Sequence, residues 1–324
     1  VQETQALFIW KELLRLTQDS LGRTDPNPPV SAALSHPNMD SVLYASHEHA
    51  GLPHAEAKAL IEAQRSGYPT HGATLYVTLE PCNHLGRTPP CTAAIREAGV
   101  TTVNYGVKDY NPEVQGQGAE FLNSISIKTT QAVLPPDLRT ALNHCYEPFI
   151  FTKSHSRPYV TLKTAHLPSG SMIPLGAQST FTTQDSLKLA HLLRRQCRGI
   201  LTGAGTVLAD QPLLNVRLVQ DHAGITRHLF ILDPRRRVGS EYLARQRGLG
   251  FQVHQTDDLA LTLAQAKSLG CLEILIEAGP TLSHAVLSQG LWNKHVQIVH
   301  TPNSNQDEVF ERRNPAFVVK TGHV

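Results

Sequence analysis

"GLPHAEAKAL" (51–60) and "VTLEPCNHLGRTPPCTAAIREAG" (77–99) place a histidine two residues before a glutamate and, about thirty residues on, two cysteines nine apart. The surrounding pattern decides the fold class. A helix is expected from near Pro53 to Ser66, stopped by Gly67, and a β-rich run covers 73–79. "PPCTAAIREAG" (89–99) has prolines at the start of a helix and glycine after its end, and "TTVNYGV" (101–107) is a further strand. Strands alternating with helices predict an α/β layer around a largely parallel sheet.

The same stretch carries the chemistry. His54 and Glu56, two apart near a helix start, point in different directions, so one can bind a metal while the other stays free. Cys82 follows a strand and Pro81, and Cys91 opens the next helix, where the backbone dipole favours a thiolate. One imidazole and two thiolates suit Zn²⁺, and three protein ligands leave a tetrahedral position open for catalysis. Zinc lowers the pKa of bound water to about 7, and Glu56 then has only to shuttle protons. His-x-Glu followed by Pro-Cys and a second cysteine is the signature of zinc deaminases. A closed structural site with His84 as fourth ligand is the competing reading.

Bulk properties narrow the class. The 324 residues predict two domains, 1–149 and 150–324. Net charge is +2 and aromatic content 6%, which offers neither the basic stripe nor the stacking residues of a nucleic-acid partner. No apolar run approaches a membrane span, and the N-terminus reads as an amphipathic helix (Leu7, Trp10, Leu13, Leu14, Leu21) rather than a signal peptide. Five cysteines without a secretory signal predict a reducing, cytoplasmic setting, with Cys145, Cys197 and Cys271 as buried thiols. After "RTDPNPPV" (23–30), a proline-rich loop, and the elements above, the pattern loosens through 134–158. A second α/β series then follows: "PYVTLKTA", a helix around 184–197, "GILTG", "HLFILD", a helix around 258–269, "LEILIEAG" and a helix near 281–289.

Deaminases of cytidine and nucleic-acid bases usually separate the two cysteines by two residues, whereas here the gap is eight, Asn83 to Pro90. With that loop, "PHAE … VTLEPCNHLGRTPPC" and "LGRTDPNPPV" resemble the deaminase half of the bifunctional riboflavin-biosynthesis deaminase/reductase family. "RPYVTLK", "LLRRQCRGILTGAGTVLADQPLLNVR" and "EILIEAGPTLSHAVLSQGL" resemble its reductase half. The resemblance implies a cytidine-deaminase-like α/β/α domain followed by a dihydrofolate-reductase-like α/β domain. It implies hydrolytic deamination of a diaminopyrimidinone ribosylamine 5′-phosphate, then reduction of the ribosyl chain to ribityl with NADPH. By motif, His54, Cys82 and Cys91 hold zinc, Glu56 transfers protons, Asn27 contacts the base, and Asn83 and His84 reach the substrate. A ribose phosphate needs a cation, and Arg87 is a candidate, with loop bracing as its alternative. Ala165, Thr206, Asp210, Gly279, Pro280 and Thr281 line the NADPH site, and Lys163, Arg194, Leu214, Arg217 and Glu277 face the sugar phosphate or reacting chain. Leu214 fits plain core equally well. "GAGTVLAD" (203–210) and "EAGPTL" (277–282) each follow a strand, and small residues there let a phosphate approach backbone N–H groups. The resemblance also implies a homo-oligomer, dimer or tetramer, through the reductase halves.

Several positions depart from the family. Ser169 replaces an Asp in the turn Leu167-Pro168-Ser169-Gly170, a Trp expected just before Phe181 is absent, and Pro234 replaces a small hydrogen-bonding residue. The end, from His300 on, lacks a glycine-rich apolar segment, and "NPPVSAALSHPNMDSVLYASHEHAG" replaces the usual strand and tight hairpin. These leave two other readings to weigh: a deaminase with a reductase-like scaffold, and a nucleic-acid base deaminase with an appended domain.

Overall fold

The computed structural model describes residues 2–85, 89–109, 117–173, 181–301 and 306–317. The chain divides into two compact units, Val1–Lys153 and Ser154–Val324.

The first unit runs α1 (Gln2–Asp19), β1 (Ser31–Ser35), β2 (Leu43–Ser46), α2 (Ala55–Ser66), β3 (Thr74–Leu79), α3 (Cys91–Glu97), β4 (Thr102–Val107), α4 (Gln117–Ser124), β5 (Lys128–Gln131) and α5 (Pro136–Ser154). Its sheet has the order β2-β1-β3-β4-β5. β3, β4 and β5 are parallel, whereas β1 is antiparallel to both β2 and β3. The expected parallel character therefore holds for one side of the sheet only. Strand alternation sorts the core. Ala32, Leu34, Leu75 and Val77 face Ala59, Ala63, Ile95 and Leu122 of α2, α3 and α4. Ala33 and Tyr76 face Ile9, Trp10 and Leu13 of α1 and Leu138 of α5.

Two segments depart from the sequence expectation. The stretch that replaces the tight hairpin still pairs, Ser31 opposite Ser46 through Leu34 opposite Leu43, with a longer connection. The loosened region is the 19-residue helix α5, and the expected boundary at 149/150 falls inside it. Pro136 opens α5, and Leu138, Leu142, Cys145, Tyr146 and Phe149 are buried at helical spacing. Pro148 inside the helix masks that periodicity. An interior proline costs up to about 3 kcal/mol, which burial of several large apolar side chains at about 1.5–3 kcal/mol each outweighs. The Tyr146 hydroxyl donates to Thr78 Oγ1 at 2.6 Å, and Thr78 Oγ1 in turn accepts from Ser31 N–H at 3.0 Å, tying α5, β3 and β1 together.

The second unit runs β6 (Tyr159–His166), α6 (Gln184–Gln196), β7 (Gly199–Gly203), α7 (Ala204–Asp210), β8 (His228–Leu232), α8 (Ser240–Gly248), β9 (Gln252–Thr256), α9 (Leu259–Ser268), β10 (Glu273–Glu277), α10 (Pro280–Ser288), β11 (Lys294–Val299) and β12 (Glu308–Arg313). The sheet order is β12-β11-β6-β10-β7-β8-β9, parallel except for β12. Leu162, Leu201, Phe230 and Ile276 face α9 and α10. Ile200, Leu229 and Ile231 face α7 and α8, and Leu275 and Val296 meet Leu193 of α6. The atypical end contributes an edge strand. Asp307 just before it accepts from Thr183 N–H at 2.8 Å and Thr183 Oγ1 at 3.0 Å, while Thr183 caps α6 by accepting from Ser186 N–H. The altered turn also closes, with Leu167 N–H donating to Ser171 O at 2.7 Å and Ser169 Oγ accepting from Ser171 N–H at 3.4 Å. Cys145, Cys197 and Cys271 are buried free thiols, as expected. The position expected to hold Trp lies outside the described residues.

One backbone contact fixes where β3 ends. A Cβ added to Gly118 of α4 would stand 1.8 Å from the Pro81 carbonyl oxygen. Gly118→Ala must therefore push α4 off the segment that carries Cys82. It is expected to cost about 1–3 kcal/mol or more, read as a lower melting temperature and reduced zinc content. An unchanged melt would contradict the close approach.

Candidate functional site

His54 is the N-cap residue of α2, with extended backbone, and its ring contributes no cap hydrogen bond. Cys82 follows the β3 exit, and Cys91 is the first residue of α3. Their three ligand atoms lie within 4.8 Å of one another. His54 Nδ1 is 3.3 Å from Cys91 Sγ and 3.6 Å from Cys82 Sγ. A tetrahedral zinc with ordinary Zn–S and Zn–N bonds spaces its sulfur and nitrogen ligands about 3.6 Å apart, so the donor set fits that ion. His84 is outside the cluster, and the closed four-ligand reading is not what the chain builds.

The thiols share their protons unequally. Cys82 accepts hydrogen bonds from the Cys91 thiol and from His54, which pull it down to about 4. Cys91, facing that thiolate and buried, is pushed well up rather than down as its helix-start position alone would suggest. A metal's charge deprotonates coordinating thiols outright. Glu56, 3% exposed in the first turn of α2, is raised to about 7 by burial first and by the Cys82 thiolate second. A group poised there can both accept and return a proton at neutral pH.

His54, Cys82 and Glu56 line a cavity of about 350 Å³, with Cys91 buried behind them. Asn27, His84, Glu80, Asp109, Phe149 and Lys153 line it as well. Asn27 Nδ2 lies 3.0 Å from His47 Nε2, and His47 Nδ1 lies 3.0 Å from the Pro53 carbonyl oxygen. The carbonyl can only accept, so the proton is on Nδ1 and Nε2 accepts from Asn27. Burial keeps His47 neutral by lowering it to about 4. The Asn27 amide is thus held in one orientation. Asn83 is placed differently from the expectation, because its Oδ1 accepts from Thr92 Oγ1 at 2.7 Å and it braces α3 instead of lining the cavity. Arg87 lies outside the described residues. The sequence reading missed His47, Phe149 and Lys153. His47 has no motif partner within a few residues, and the other two sit on the helix that Pro148 conceals.

In the second unit Lys163, Arg194 and Glu277 come together near the carboxyl end of β10, and such strand ends are where parallel sheets bind ligands. Arg194 Nε and Nη2 donate to the two Glu277 oxygens at 2.5 and 2.9 Å. Burial opposes ionisation of Glu277, yet Arg194, aided by Lys163, holds its carboxyl below the usual range. Burial lowers Lys163, with Glu277 opposing. Gly279 N–H donates to Thr206 Oγ1 at 2.9 Å, joining the two glycine-bearing strand exits. Pro280 and Thr281 begin α10, Ala165 lies on β6, and Asp210 is exposed at the end of α7. Leu214 packs in the core with Ile200 and Val207. Arg217 is placed by His191, unread in the sequence, whose Nδ1 accepts from Arg217 N–H at 2.9 Å and whose Nε2 lies 3.3 Å from Arg194 Nη1.

Residues 5–107 match the family of the cytidine and deoxycytidylate deaminase zinc-binding region, and residues 158–303 match the RibD C-terminal domain. The chain is therefore a two-part enzyme, a zinc deaminase joined to an NADPH-dependent reductase. It is 34% identical over 313 residues to the riboflavin biosynthesis protein RibD of Aquifex aeolicus, covering 89% of this chain and 85% of the relative. The Escherichia coli protein of that name is 32% identical over 312 residues, covering 86% and 83%. Among solved structures, the diaminohydroxyphosphoribosylaminopyrimidine deaminase/5-amino-6-(5-phosphoribosylamino)uracil reductase of Thermotoga maritima is 27% identical with a TM-score of 0.76, covering 92% of this chain and 87% of that one. Acinetobacter baumannii RibD is 29% identical with a TM-score of 0.74, covering 91% and 86%. The chain belongs to the RibD family of riboflavin biosynthesis proteins. Among the described residues, no helix is long and apolar enough to cross a membrane.

His191 gives a pH test of the reductase site. Burial first, then Arg194 and Arg217, lower it from 6.5 to about 4. The folded state then binds fewer protons than the unfolded one between those values, so stability is lost as pH falls from about 6.5 toward 4. Calorimetry at pH 7 and pH 5 should show a melting-temperature drop for the wild type that shrinks in His191→Gln. An equal drop in both proteins would remove His191 from the account.

Proposed function

We propose that the first unit releases ammonia from a diaminopyrimidinone ribosylamine 5′-phosphate, and that the second reduces the ribosyl chain of the resulting uracil to ribityl. The observation that carries the reading is the convergence of His54, Cys82 and Cys91, with His54, Cys82 and buried Glu56 lining one cavity. The named reactions of the Thermotoga maritima relative support the choice of substrates.

His54, Cys82 and Cys91 would hold a zinc ion, which would supply water acidic enough to act as a nucleophile near neutral pH. Glu56 holds and moves the proton, accepting one at its carboxylate and returning one to the departing amine. Asn27, its amide fixed by His47, offers Oδ1 and one N–H to the pyrimidine edge, and His84 closes the lining. In the second unit Lys163, Arg194, Arg217 and Glu277 bind the ribose phosphate and the reacting chain, with Leu214 shaping the wall behind them. Ala165, Thr206, Asp210, Gly279, Pro280 and Thr281 would hold NADPH, which would supply the reducing hydride. Free α10 N–H groups and the Thr206–Gly279 link make a place for a phosphate.

The enzyme works as a homo-oligomer, dimer or tetramer, in the cytoplasm. Support comes from β12, an edge strand presenting Val309 and Phe310 at 48% and 42% exposure, and from five free thiols.

Glu56→Gln tests the deaminase assignment. It should retain zinc, lose about 10²- to 10⁴-fold in ammonia release, and still oxidise NADPH when given the deaminated ribosylamino-uracil phosphate. Normal ammonia release by this variant would overturn the role of Glu56. Absence of NADPH oxidation in the wild type would leave the second unit without its assigned reaction.

A further inference from the structure

The deaminase cavity has an asymmetry that the zinc chemistry does not use. Its described carboxylates, Glu56, Glu80 and Asp109, share the lining with the metal ligands His54 and Cys82. Glu80 is fixed there, accepting from Asp109 N–H at 3.3 Å and from Ala119 N–H at 3.1 Å. A phosphate group cannot settle among these anions without a cation. Lys153, in the last turn of α5, is the one Lys or Arg side chain among the described lining residues. Its ammonium lies 5.1 Å from the centroid of the Phe149 ring, one helical turn back, and makes no ion pair among the described residues. Phe149 is itself buried and lines the same cavity. The ring attracts the ammonium, which favours rotamers that keep it beside the cavity lining before a ligand arrives. Helix C-termini also favour a cation.

We propose that Lys153 binds the 5′-phosphate of the deaminase substrate, with the Phe149 ring beside its ammonium in the cavity lining. The inference rests on the deaminase reading above and adds a specificity residue to it. The reacting carbon must lie against Glu56, and the ribosyl arm leaves the pyrimidine ring away from that carbon. The phosphate then falls at the end of the cavity remote from the zinc ligands. Lys153 touches no reacting atom in this scheme. It selects the phosphorylated substrate and sets its register, while Glu56 and the metal ligands perform the reaction.

The test uses the full-length enzyme and ammonia release from two compounds, the diaminopyrimidinone ribosylamine 5′-phosphate and the same compound without its phosphate. Lys153→Gln should raise KM for the phosphorylated compound about tenfold, as expected for loss of one charge-assisted contact at a partly solvated site. Its kcat should stay within about twofold and its zinc content unchanged, and kcat/KM for the dephosphorylated compound should match the wild type. Lys153→Arg should restore most of the lost KM. Inorganic phosphate, used as a competitive inhibitor, should weaken in parallel with Lys153→Gln. An equal KM change on both compounds, or no change on either, overturns the proposal. Failure of the wild type to release ammonia from either compound is a separate outcome that sinks the deaminase reading and this inference with it.

Discussion

Three chain segments have to deliver one nitrogen and two sulfurs to a common point, and much of the first unit is arranged to make that happen. The two sulfurs stand 3.3 and 3.6 Å from the imidazole nitrogen, a spacing that shifts with any movement of α2, α3 or the β3 exit. Each segment is held by something other than the metal ligands themselves. Cys91 N–H donates to Cys82 Sγ at 3.4 Å and Thr92 N–H to Cys82 O at 3.3 Å, so α3 is docked on the strand exit by backbone. Glu80 anchors the same exit to α4, where Gly118 permits direct backbone contact with Pro81. On the far side Tyr146, Thr78 and Ser31 fix β1, whose preceding loop brings Asn27 into the cavity.

The second unit solves a different electrostatic problem. It must keep cations and a carboxylate buried together and still leave some of their bonding capacity for a ligand. Arg194 and Glu277 satisfy each other bidentately, which makes the burial tolerable, and Lys163 stands near both. Removing one member of such a pair leaves a buried charge unpaired, which is why buried pairs are costly to break even when they contribute little as a unit. Two of the positions that the sequence marks as departures have partners in the structure. Ser169 Oγ accepts from Ser171 N–H within a turn that backbone bonds close, and Asp307 braces the cap of α6, the helix that carries His191 and Arg194.

Much of this was legible in the sequence because spacing and residue type coincide with chemistry. His-x-Glu before a helix, Pro-Cys after a strand and a cysteine at a helix start are local signals, and the α/β alternation around them gave the layers. What stayed hidden has physical causes. Pro148 broke the periodicity of α5, so Phe149 and Lys153 were not placed at the cavity. His47 acts through a carbonyl six residues away and an amide twenty residues away, and neither leaves a mark in sequence. Asn83 sits between metal ligands in the chain, yet its side chain turns to Thr92 because a short helix start needs bracing. The β1–β2 pair was obscured by an unusual connection, and its runs of consecutive apolar residues (Ala32-Ala33-Leu34 and Leu43-Tyr44-Ala45) show no alternation to mark it.

Each unit buries its own apolar side chains, Leu75 and Ile95 in one and Leu201 and Ile276 in the other, in clusters with no shared members. A lesion that collapses one core need not unfold the other. In genetic terms, two alleles of this single gene can behave like mutations in different genes. A cell holding one copy ruined in the deaminase unit and another ruined in the reductase unit still makes both working halves, provided the intermediate can pass between molecules, and such alleles would complement where two lesions in the same unit would not.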